Sequence, residues 1–334
     1  MKIAFFEVND SEKEYFASRL INDDLNFFDE PLTEDFNQDI SQVEVLSVFI
    51  YSKVTARFIK KMPNLKLIIT RSTGFDHIDQ DACVQNNIVI TNVPTYGENT
   101  VAEHTFALIL ALARKIVPSV DRVRQGEFSV EGLRGFDLAG KTIGIIGTGK
   151  IGSHVTCMAH SFGMKILGYD LKENKELVKK YDINYVPIDE LLENSDVISL
   201  NLRHTAETHH LINKETIKII KKGAILVNTA RGGLIDTPCL IEALDKGILS
   251  GVGLDVLESE ASVKEDTQIL SKHFPKKELM INIANNILMR KPNVIITPHN
   301  AFNSNEAFER IMDTTVENIE RFEEGKPVNV VTGD

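Results

Sequence analysis

A glycine-rich turn between two apolar runs constrains this chain more than any other feature. Residues 142–146 form an apolar run, and Gly147-Thr148-Gly149-Lys150-Ile151-Gly152 follows directly as G-x-G-x-x-G, ahead of a helical pattern. In a strand–turn–helix unit, the first glycine permits the tight turn, the second lets the backbone approach a pyrophosphate, and the third lets helix and strand pack closely. The helix N-terminus then offers unpaired N–H groups to the phosphates. The pattern predicts a dinucleotide-binding Rossmann unit.

Asp170 has the position that such a unit requires of an acidic residue. It follows a second apolar run, 165–169, and lies 170 − 152 = 18 residues beyond the last glycine. The carboxylate that binds the adenosine ribose usually follows the glycines by roughly 20 residues. A carboxylate there bonds to a 2′-hydroxyl and repels a 2′-phosphate, so Asp170 predicts NAD as the cofactor. A glycine-rich turn without a ligand is the alternative, and the context on both sides disfavours it.

The net charge and the cysteines limit the partners and the cellular compartment that are expected for this protein. With 48 acidic against 37 basic residues, the net charge of −11 repels nucleic acid and anionic lipid, so neither is an expected partner. The three cysteines are far apart and odd in number, which argues against a disulfide framework and for a reducing compartment. No basic leader with a cleavage site is present, and no stretch reaches the ~18 apolar residues of a membrane span. These features predict a cytoplasmic protein, and no metal site is assigned.

Short apolar runs alternate with polar stretches long enough for helices, which is typical of α/β proteins whose parallel sheets are covered on both faces. At 334 residues the chain exceeds the usual single domain, so two domains are expected. The runs are 3–8, 25–28, 43–50, 65–70 and 88–91 in the first part, and 142–146, 165–169, 197–200, 224–228, 251–256 and 294–297 in the second. They predict two doubly wound parallel sheets, of which the second, larger one carries the glycine turn.

Three segments outside these runs also carry structural predictions. Residues 92–99 contain Pro94 and Gly97 and have the composition of a hinge. Residues 101–117 are helix-forming and apolar almost all round, so this helix is expected to be buried on every side. It could be the subunit interface of an oligomer or a central core helix. Residues 305–324 predict an amphipathic helix.

The turn after the fourth run, Arg71 to Asp76, combines Gly74 with small hydroxyl residues. At the carboxyl end of a strand, such a turn can present backbone N–H groups to an anion. From the turn alone, a plain connection between strand and helix is the preferred interpretation.

Polar side chains follow three of the later runs. Arg231 follows the run 224–228, Asp255 and Glu260 lie at and after the end of the run 251–256, and His299 follows the run 294–297. Because ligands of open α/β sheets bind outside the carboxyl ends of the strands, these side chains form a plausible set for acid–base work on a carboxylated substrate. Taken singly, Arg231 could belong to a surface ion pair, Glu260 could be a solvated surface residue, and His299 could be a hydrogen-bonded structural histidine. Their convergence is what favours an active site.

Four ordered segments, GTGKIG, NTARGG, GLDV with a later glutamate, and TPHNAF, resemble the D-isomer-specific 2-hydroxyacid dehydrogenase family. The resemblance covers nearly the whole chain. Within the family the chain is most similar to the D-lactate dehydrogenase branch. The similarities to that branch are NVPTYGENTVAEH, the long stretch between Glu260 and His299, and Phe302 three residues after the histidine.

The resemblance implies the arrangement of the domains. In this family an NAD-binding Rossmann domain, here 100–299, is inserted into a discontinuous flavodoxin-like substrate domain, here 1–99 and 300–334. The substrate would lie in the cleft between the domains, and closure would exclude water from the hydride path.

The resemblance also implies roles for the polar residues. His299 matches the general acid that protonates the carbonyl oxygen of a 2-oxo acid. Glu260, at 260 − 255 = 5 residues after Asp255, matches the carboxylate paired with it, in preference to Glu258. Such an anion favours the imidazolium form. Arg231 matches the substrate clamp, since a guanidinium fork suits a carboxylate, and Asp255 matches a residue at the nicotinamide end.

Further positions match binding residues of the family. The backbone of Thr73 and Gly74 matches a second carboxylate anchor, which replaces the plain-turn interpretation, and Tyr96 and Phe302 match aromatic positions near the substrate side chain. The positions that match cofactor contacts are Gly147, Gly149, Lys150, Ile151, Gly152, Asp170, Leu202, Arg203, Thr208, Thr229, Ala230, Arg231 and Asp255.

Arg203 and His204 depart from the family pattern, which often has a proline after this strand. In relatives the segment after this strand faces the cofactor. A basic pair there, together with Lys172 close to Asp170, leaves NADP use open.

Together these features predict an NAD-dependent D-2-hydroxyacid dehydrogenase that interconverts pyruvate and D-lactate, as a homodimer through helix 101–117. One alternative is a different D-2-hydroxy acid, such as a longer or branched one or 3-phosphoglycerate. The other is a dinucleotide-sensing interaction protein similar to the family's corepressors.

Overall fold

The computed structural model of the protein describes residues 1–33, 35–260 and 276–331. The strands are β1 (Lys2–Phe6), β2 (Asp24–Phe28), β3 (Val45–Val48), β4 (Leu67–Thr70), β5 (Val89–Thr91), β6 (Thr142–Ile146), β7 (Lys165–Tyr169), β8 (Asn184–Tyr185), β9 (Val197–Leu200), β10 (Ala224–Asn228), β11 (Leu249–Leu254) and β12 (Val294–Ile296). The α-helices are α1 (Asp10–Arg19), α2 (Ala56–Lys61), α3 (Gln80–Gln85), α4 (Glu98–Ala113), α5 (Ile116–Arg124), α6 (Lys150–Ser161), α7 (Lys175–Tyr181), α8 (Ile188–Asn194), α9 (Thr216–Ile219), α10 (Thr237–Asp245), α11 (Lys276–Met289) and α12 (Asn305–Glu323).

The chain divides into two compact units, one of Met1–Gly97 with Asn303–Asp334 and one of Glu98–Phe302. All strand pairs in both units are parallel. The predicted α/β class with two parallel sheets is therefore confirmed. The assignment of one unit to the substrate and the other to the cofactor stays a prediction.

The first unit is built on a five-stranded sheet in the order β2-β1-β3-β4-β5, which is the flavodoxin-like order. Alternate residues of β1 point to opposite faces, so Ile3 and Phe5 enter one apolar layer and Phe6 enters the other. The amphipathic α12 adds Val316 and Ile319 to the layer that contains Phe5. The C-terminal helix thus completes the first unit, and its predicted bounds agree with the structure to within one residue.

The second unit is built on a seven-stranded sheet in the order β12-β11-β10-β9-β6-β7-β8. The chain moves outward from β6 to β7 and β8, and then returns to place β9 on the other side of β6. Ligands bind outside the carboxyl ends of the strands at such a reversal. The loops after β6 and β9 are therefore the expected place for a nucleotide.

The predicted single helix over 101–117 was wrong, because two helices occupy this stretch. Lys115, between α4 and α5, adopts a left-handed backbone with φ 54° and breaks the helix. In a single chain this helix is not buried on every side, since Ala107 is exposed, and its role as a subunit interface stays a prediction. The core-helix alternative describes α4, which packs Leu108 and Leu112 onto β11. The large exposed apolar side chains of this stretch, Ile116 and Val117, belong to α5.

The three cysteines are free thiols, and Cys83 is fully buried, whereas Cys157 and Cys239 are half-buried. Burial raises the pKa of the Cys83 thiol to about 11, and burial together with nearby Asp236 raises the pKa of Cys239 to about 11. The predicted cytoplasmic location stays a prediction. Within the described ranges, the helices are too short or too polar to cross a bilayer.

Both shifted thiols should resist alkylation near neutral pH, because only the thiolate reacts. For Cys239 we expect the rate of modification by iodoacetamide to rise about tenfold per pH unit up to about pH 10. Cys83 should stay protected until the protein unfolds. Peptide mass spectrometry of samples alkylated at each pH, with a urea-unfolded control, measures both; rapid labelling of Cys239 at neutral pH would contradict the prediction.

Candidate active site

The glycine turn joins β6 to α6, and its three glycines are constrained differently. Gly147 has φ +92°, and a Cβ added there would lie 2.7 Å from the carbonyl oxygen of Asn201. A Cβ at Gly152 would lie 2.0 Å from the carbonyl oxygen of Gly147. A Cβ at Gly149 would meet nothing within 4 Å. The fold itself therefore requires the first and third glycines, and the open space at the second fits close approach of a phosphate group.

Asp170 follows β7 and is bonded to the glycine turn. Its Oδ2 accepts from the backbone N–H of Thr148 at 2.7 Å and from the Thr148 hydroxyl at 3.2 Å. Tyr185 of β8 in turn donates its hydroxyl hydrogen to Thr148 Oγ1 at 2.8 Å. The Lys172 backbone N–H lies 3.4 Å from Oδ1. Asp170 and the glycine turn are thus hydrogen-bonded to each other at the edge of the sheet where a ribose and its phosphates would bind.

The other predicted cofactor positions lie on the first turn of α6 and on neighbouring loops of the same unit. Lys150 pairs with Glu98 at 2.9 Å. Thr208 closes the loop after β9 by donating to the carbonyl oxygen of Arg203 at 2.8 Å. Leu202 lies beside the turn, since its Cδ2 would be 2.9 Å from a Cβ at position 147. Half-buried Ile151 lies in the first turn of α6.

The loop after β10 carries the predicted clamp. Asn228 fixes this loop, because its side-chain amide donates to the Arg231 carbonyl oxygen at 2.9 Å and its Oδ1 accepts from the Ala230 N–H at 3.0 Å. The hydroxyl of Thr229 is 2.8 Å from that of Thr105 on α4. The Arg231 guanidinium donates to the Ala230 carbonyl oxygen at 2.8 Å. Arg231 is thus held close to its own loop.

Two of the predicted catalytic residues are in direct contact. His299 Nδ1 lies 2.8 Å from Glu260 Oε2, and both side chains are about three-tenths exposed (28% and 29%). The other carboxylate oxygen, Oε1, accepts from the Leu257 N–H at 2.7 Å. Since an ionised carboxylate only accepts hydrogen bonds, Nδ1 carries the hydrogen of this contact. Nε2 is then the ring nitrogen that can face a substrate.

Asp255 supports the loop that carries His299. It is 1% exposed, and its carboxylate accepts from the Thr297 hydroxyl at 2.5 Å, the Asn300 N–H at 3.0 Å and the Ala301 N–H at 2.9 Å. Its main-chain oxygen accepts from the His299 N–H at 2.9 Å. Sequence reasoning placed Asp255 at the nicotinamide end, and the hydrogen bonds that its carboxylate accepts come from the loop after β12.

A second glutamate–histidine pair was missed by sequence reasoning. Glu258 is 8% exposed, and its Oε1 lies 2.9 Å from His210 Nε2 while its Oε2 accepts from the Thr237 hydroxyl at 2.8 Å. The side chains of Glu258 and Glu260 therefore serve different histidines. The only sequence signal was the spacing of two glutamates two residues apart, which does not say which histidine each contacts.

In the first unit, the turn after β4 is held by a buried arginine. Arg71 is 1% exposed and donates to the carbonyl oxygens of Phe6 and Glu7 at 2.7 Å each. Burial lowers the pKa of its guanidinium. The exposed Thr73 donates its hydroxyl hydrogen to the Val93 carbonyl oxygen at 2.9 Å. The turn therefore has a fixed backbone, as an anion anchor requires.

The remaining predicted substrate residues are partly exposed. Gly74 accepts a hydrogen bond from the Ser72 hydroxyl at 2.6 Å, and the Tyr96 carbonyl oxygen accepts from Arg310 Nε at 2.8 Å. Phe302, in the second unit, is half-buried. Across residues 1–33, 35–260 and 276–331, no group of three His, Cys, Asp or Glu side chains could hold a metal ion.

Comparison with known proteins identifies the family of the chain. Residues 106–301 match the family described as D-isomer specific 2-hydroxyacid dehydrogenase, NAD binding domain. The chain is 36% identical over 327 residues to 2-hydroxyacid dehydrogenase homolog 1 of Schizosaccharomyces pombe, covering 96% of each chain. It is 33% identical to the glyoxylate reductase of Korarchaeum cryptofilum, covering 87% of this chain and 83% of the relative.

One solved structure is similar to this chain over almost the whole length of both proteins. The D-lactate dehydrogenase of Aquifex aeolicus, complexed with NAD and lactic acid, is 39% identical, with a TM-score of 0.89 and 99% of each chain covered. The chain belongs to the D-isomer-specific 2-hydroxyacid dehydrogenases, oxidoreductases that act on a CH–OH group with NAD.

Proposed function

We propose that this enzyme interconverts pyruvate and D-lactate. The observation that carries the proposal is the contact between His299 and Glu260 at the carboxyl edge of the second sheet. The similarity to a D-lactate dehydrogenase over 99% of the chain supports the choice of acid. When bound, NADH supplies the hydride that reduces the carbonyl carbon.

The protein's own residues would bind, orient and protonate the substrate. Arg231 would hold the carboxylate through its guanidinium fork, and the backbone N–H groups of Thr73 and Gly74 are proposed to bind it as well. His299 would give the proton on Nε2 to the carbonyl oxygen as negative charge develops there. Glu260 would hold the ring through Nδ1, so that Nε2 points in a constant direction.

Steady-state kinetics with a panel of acids tests the proposed substrate. NADH oxidation would be followed with pyruvate, glyoxylate, 2-oxoisocaproate and 3-phosphohydroxypyruvate, each repeated with NADPH. We expect the highest kcat/KM with pyruvate and NADH, and oxidation of D-lactate but not L-lactate in reverse. A higher kcat/KM for another acid would refute the pyruvate assignment and leave the family membership intact.

We also infer that two copies of the chain associate through α5. Its side chains Ile116, Val117, Val120 and Val123 are 42–49% exposed, which is unusual for a run of large apolar residues on one helix. Phe128, in the segment after α5, is 82% exposed. An open cavity of about 510 Å³ lies between α5 and that segment. Covering this apolar surface with a second copy would remove it from water.

A charge on this surface should prevent the association. We expect wild-type protein to have twice the chain mass of 37.4 kDa in light scattering, and Val120→Glu to have the chain mass itself. Val178→Glu is the matched control, because Val178 is equally exposed (41%) but lies on α7. A monomeric wild type, or a dimeric Val120→Glu variant, would refute the interface.

A further inference from the structure

His104, in the middle of α4, contacts the loop that carries His299. Its side chain is 22% exposed, and Nε2 lies 3.0 Å from the hydroxyl of Thr297 and 3.6 Å from Oδ1 of Asp255. His104 is 195 residues away in sequence from His299 (299 − 104 = 195), and it is not among the residues assigned to substrate or cofactor above.

The direction of each hydrogen bond in this chain of contacts follows from elementary chemistry. The Asp255 carboxylate only accepts, so the Thr297 hydroxyl hydrogen is donated to Asp255 Oδ1 at 2.5 Å. The Thr297 oxygen must then accept from its other neighbour, and the hydrogen of that contact lies on His104 Nε2. The contacts therefore select the form of His104 that carries a hydrogen on Nε2.

The same carboxylate determines the path of the main chain around His299. Besides Thr297, it accepts from the backbone N–H groups of Asn300 and Ala301. His299 itself has φ +53°, a left-handed conformation that non-glycine residues adopt at a cost. Contacts on both sides of His299 hold this conformation, and His104 lies at the outer end of that network.

The helix that carries His104 is itself firmly held. The neighbouring Thr105 bonds through its hydroxyl to Thr229 at 2.8 Å. One turn further, Leu108 lies against β11, so close that a Cβ at Gly253 would be 3.1 Å from Leu108 Cβ. A side chain on such a rigid helix can hold the loop that it contacts in one position.

We propose that His104 is a positioning residue for His299, acting through Thr297 and Asp255. The inference rests on the proposed role of His299 as general acid. The Nε2–H of His104 keeps the Thr297 hydroxyl directed at Asp255, and Asp255 keeps His299 in its left-handed conformation. The ring of His299 then remains directed toward Glu260.

Two amide substitutions separate the hydrogen bond from simple packing. In His104→Gln the amide nitrogen can occupy the place of Nε2, whereas in His104→Asn it reaches only the place of Nδ1. We expect His104→Asn to lower kcat about tenfold and His104→Gln to keep it within about threefold, because small displacements of a reacting group are costly. The NADH dissociation constant and the melting temperature should change little in either variant. The exposed His160 supplies the control His160→Asn.

Histidine NMR on ¹⁵N-labelled protein gives a readout that needs no turnover. We expect His104 to carry its hydrogen on Nε2, and the His299 ring signals to move in His104→Asn but not in His104→Gln. A hydrogen on Nδ1, or unmoved His299 signals together with unchanged kcat in His104→Asn, would overturn the proposal. Equal losses of kcat and melting temperature in both amide variants would also overturn it, since they indicate packing alone. A wild type inactive on every 2-oxo acid would refute the proposed function, and the NMR result would still decide the role of His104.

Discussion

Replacement of His299 by glutamine should lower kcat for pyruvate by about 10²–10⁴-fold, the usual contribution of general acid–base catalysis. Glutamine keeps a polar side chain of similar reach but cannot release a proton near neutral pH. The His299–Glu260 contact at 2.8 Å is lost in this variant, so NADH binding should be measured separately by fluorescence titration. A fall in kcat with an unchanged NADH dissociation constant is the expected result, and kcat within a few-fold of wild type would refute the role of His299.

The two glutamate–histidine pairs provide a matched comparison. Glu260→Gln replaces the charged acceptor that holds the His299 ring through Nδ1 with a neutral one, and hydrogen bonds to charged groups are roughly twice as strong. We expect kcat for pyruvate to fall about tenfold with an unchanged NADH dissociation constant, because the His299 ring is then held less firmly toward the substrate. Glu258→Gln changes an equally close pair, at 2.9 Å, that is nearly buried beside His210. It should lower the melting temperature and leave kcat unchanged.

Replacement of Gly149 by alanine should weaken NADH binding without unfolding the protein. A Cβ at this position meets no protein atom within 4 Å, and the backbone there is extended, with φ −64°. The added methyl group would instead occupy the space through which a pyrophosphate approaches the backbone. We expect the NADH dissociation constant to rise roughly ten- to hundredfold, equivalent to about 1.4–2.8 kcal/mol. Fluorescence titration and thermal melting measure the two properties separately.

Gly152→Ala supplies the contrast for this prediction. Its Cβ would lie 2.0 Å from the Gly147 carbonyl oxygen, so the backbone must move. Overpacking of this kind costs about 1–3 kcal/mol, and the melting temperature should fall. If Gly149→Ala bound NADH as tightly as wild type, close approach of the phosphates to this turn would be refuted.

Buried parallel strands were the most predictable elements. The runs at 142–146, 165–169, 197–200 and 224–228 coincide with β6, β7, β9 and β10, because strands covered on both faces are continuous apolar runs. β8 was not predicted, since two residues, Asn184 and Tyr185, make no run. The break at Lys115 was missed, although Pro118 lies in the first turn of α5 and is a sequence signal for the start of a new helix.

The pairing of the site residues was less predictable. Resemblance to the family singled out Glu260 and His299, but Glu258 has the same chemistry two residues earlier. Which histidine each glutamate contacts depends on the path of the loop that begins at Leu257. Gly232 packs against that loop, so closely that a Cβ added at Gly232 would lie 2.1 Å from the Leu257 carbonyl oxygen. Local sequence carries no information about this distant contact.

The glycine turn, Asp170 and the positions of most strands could be read from the sequence, because turn geometry and strand burial act over a few neighbouring residues. The tertiary structure alone decided that Asp255 supports the loop of His299 and that His104 lies at the end of that support. Hydrogen bonds between residues more than 150 positions apart, such as the one between His104 and Thr297, form only when the helix and the strands have packed.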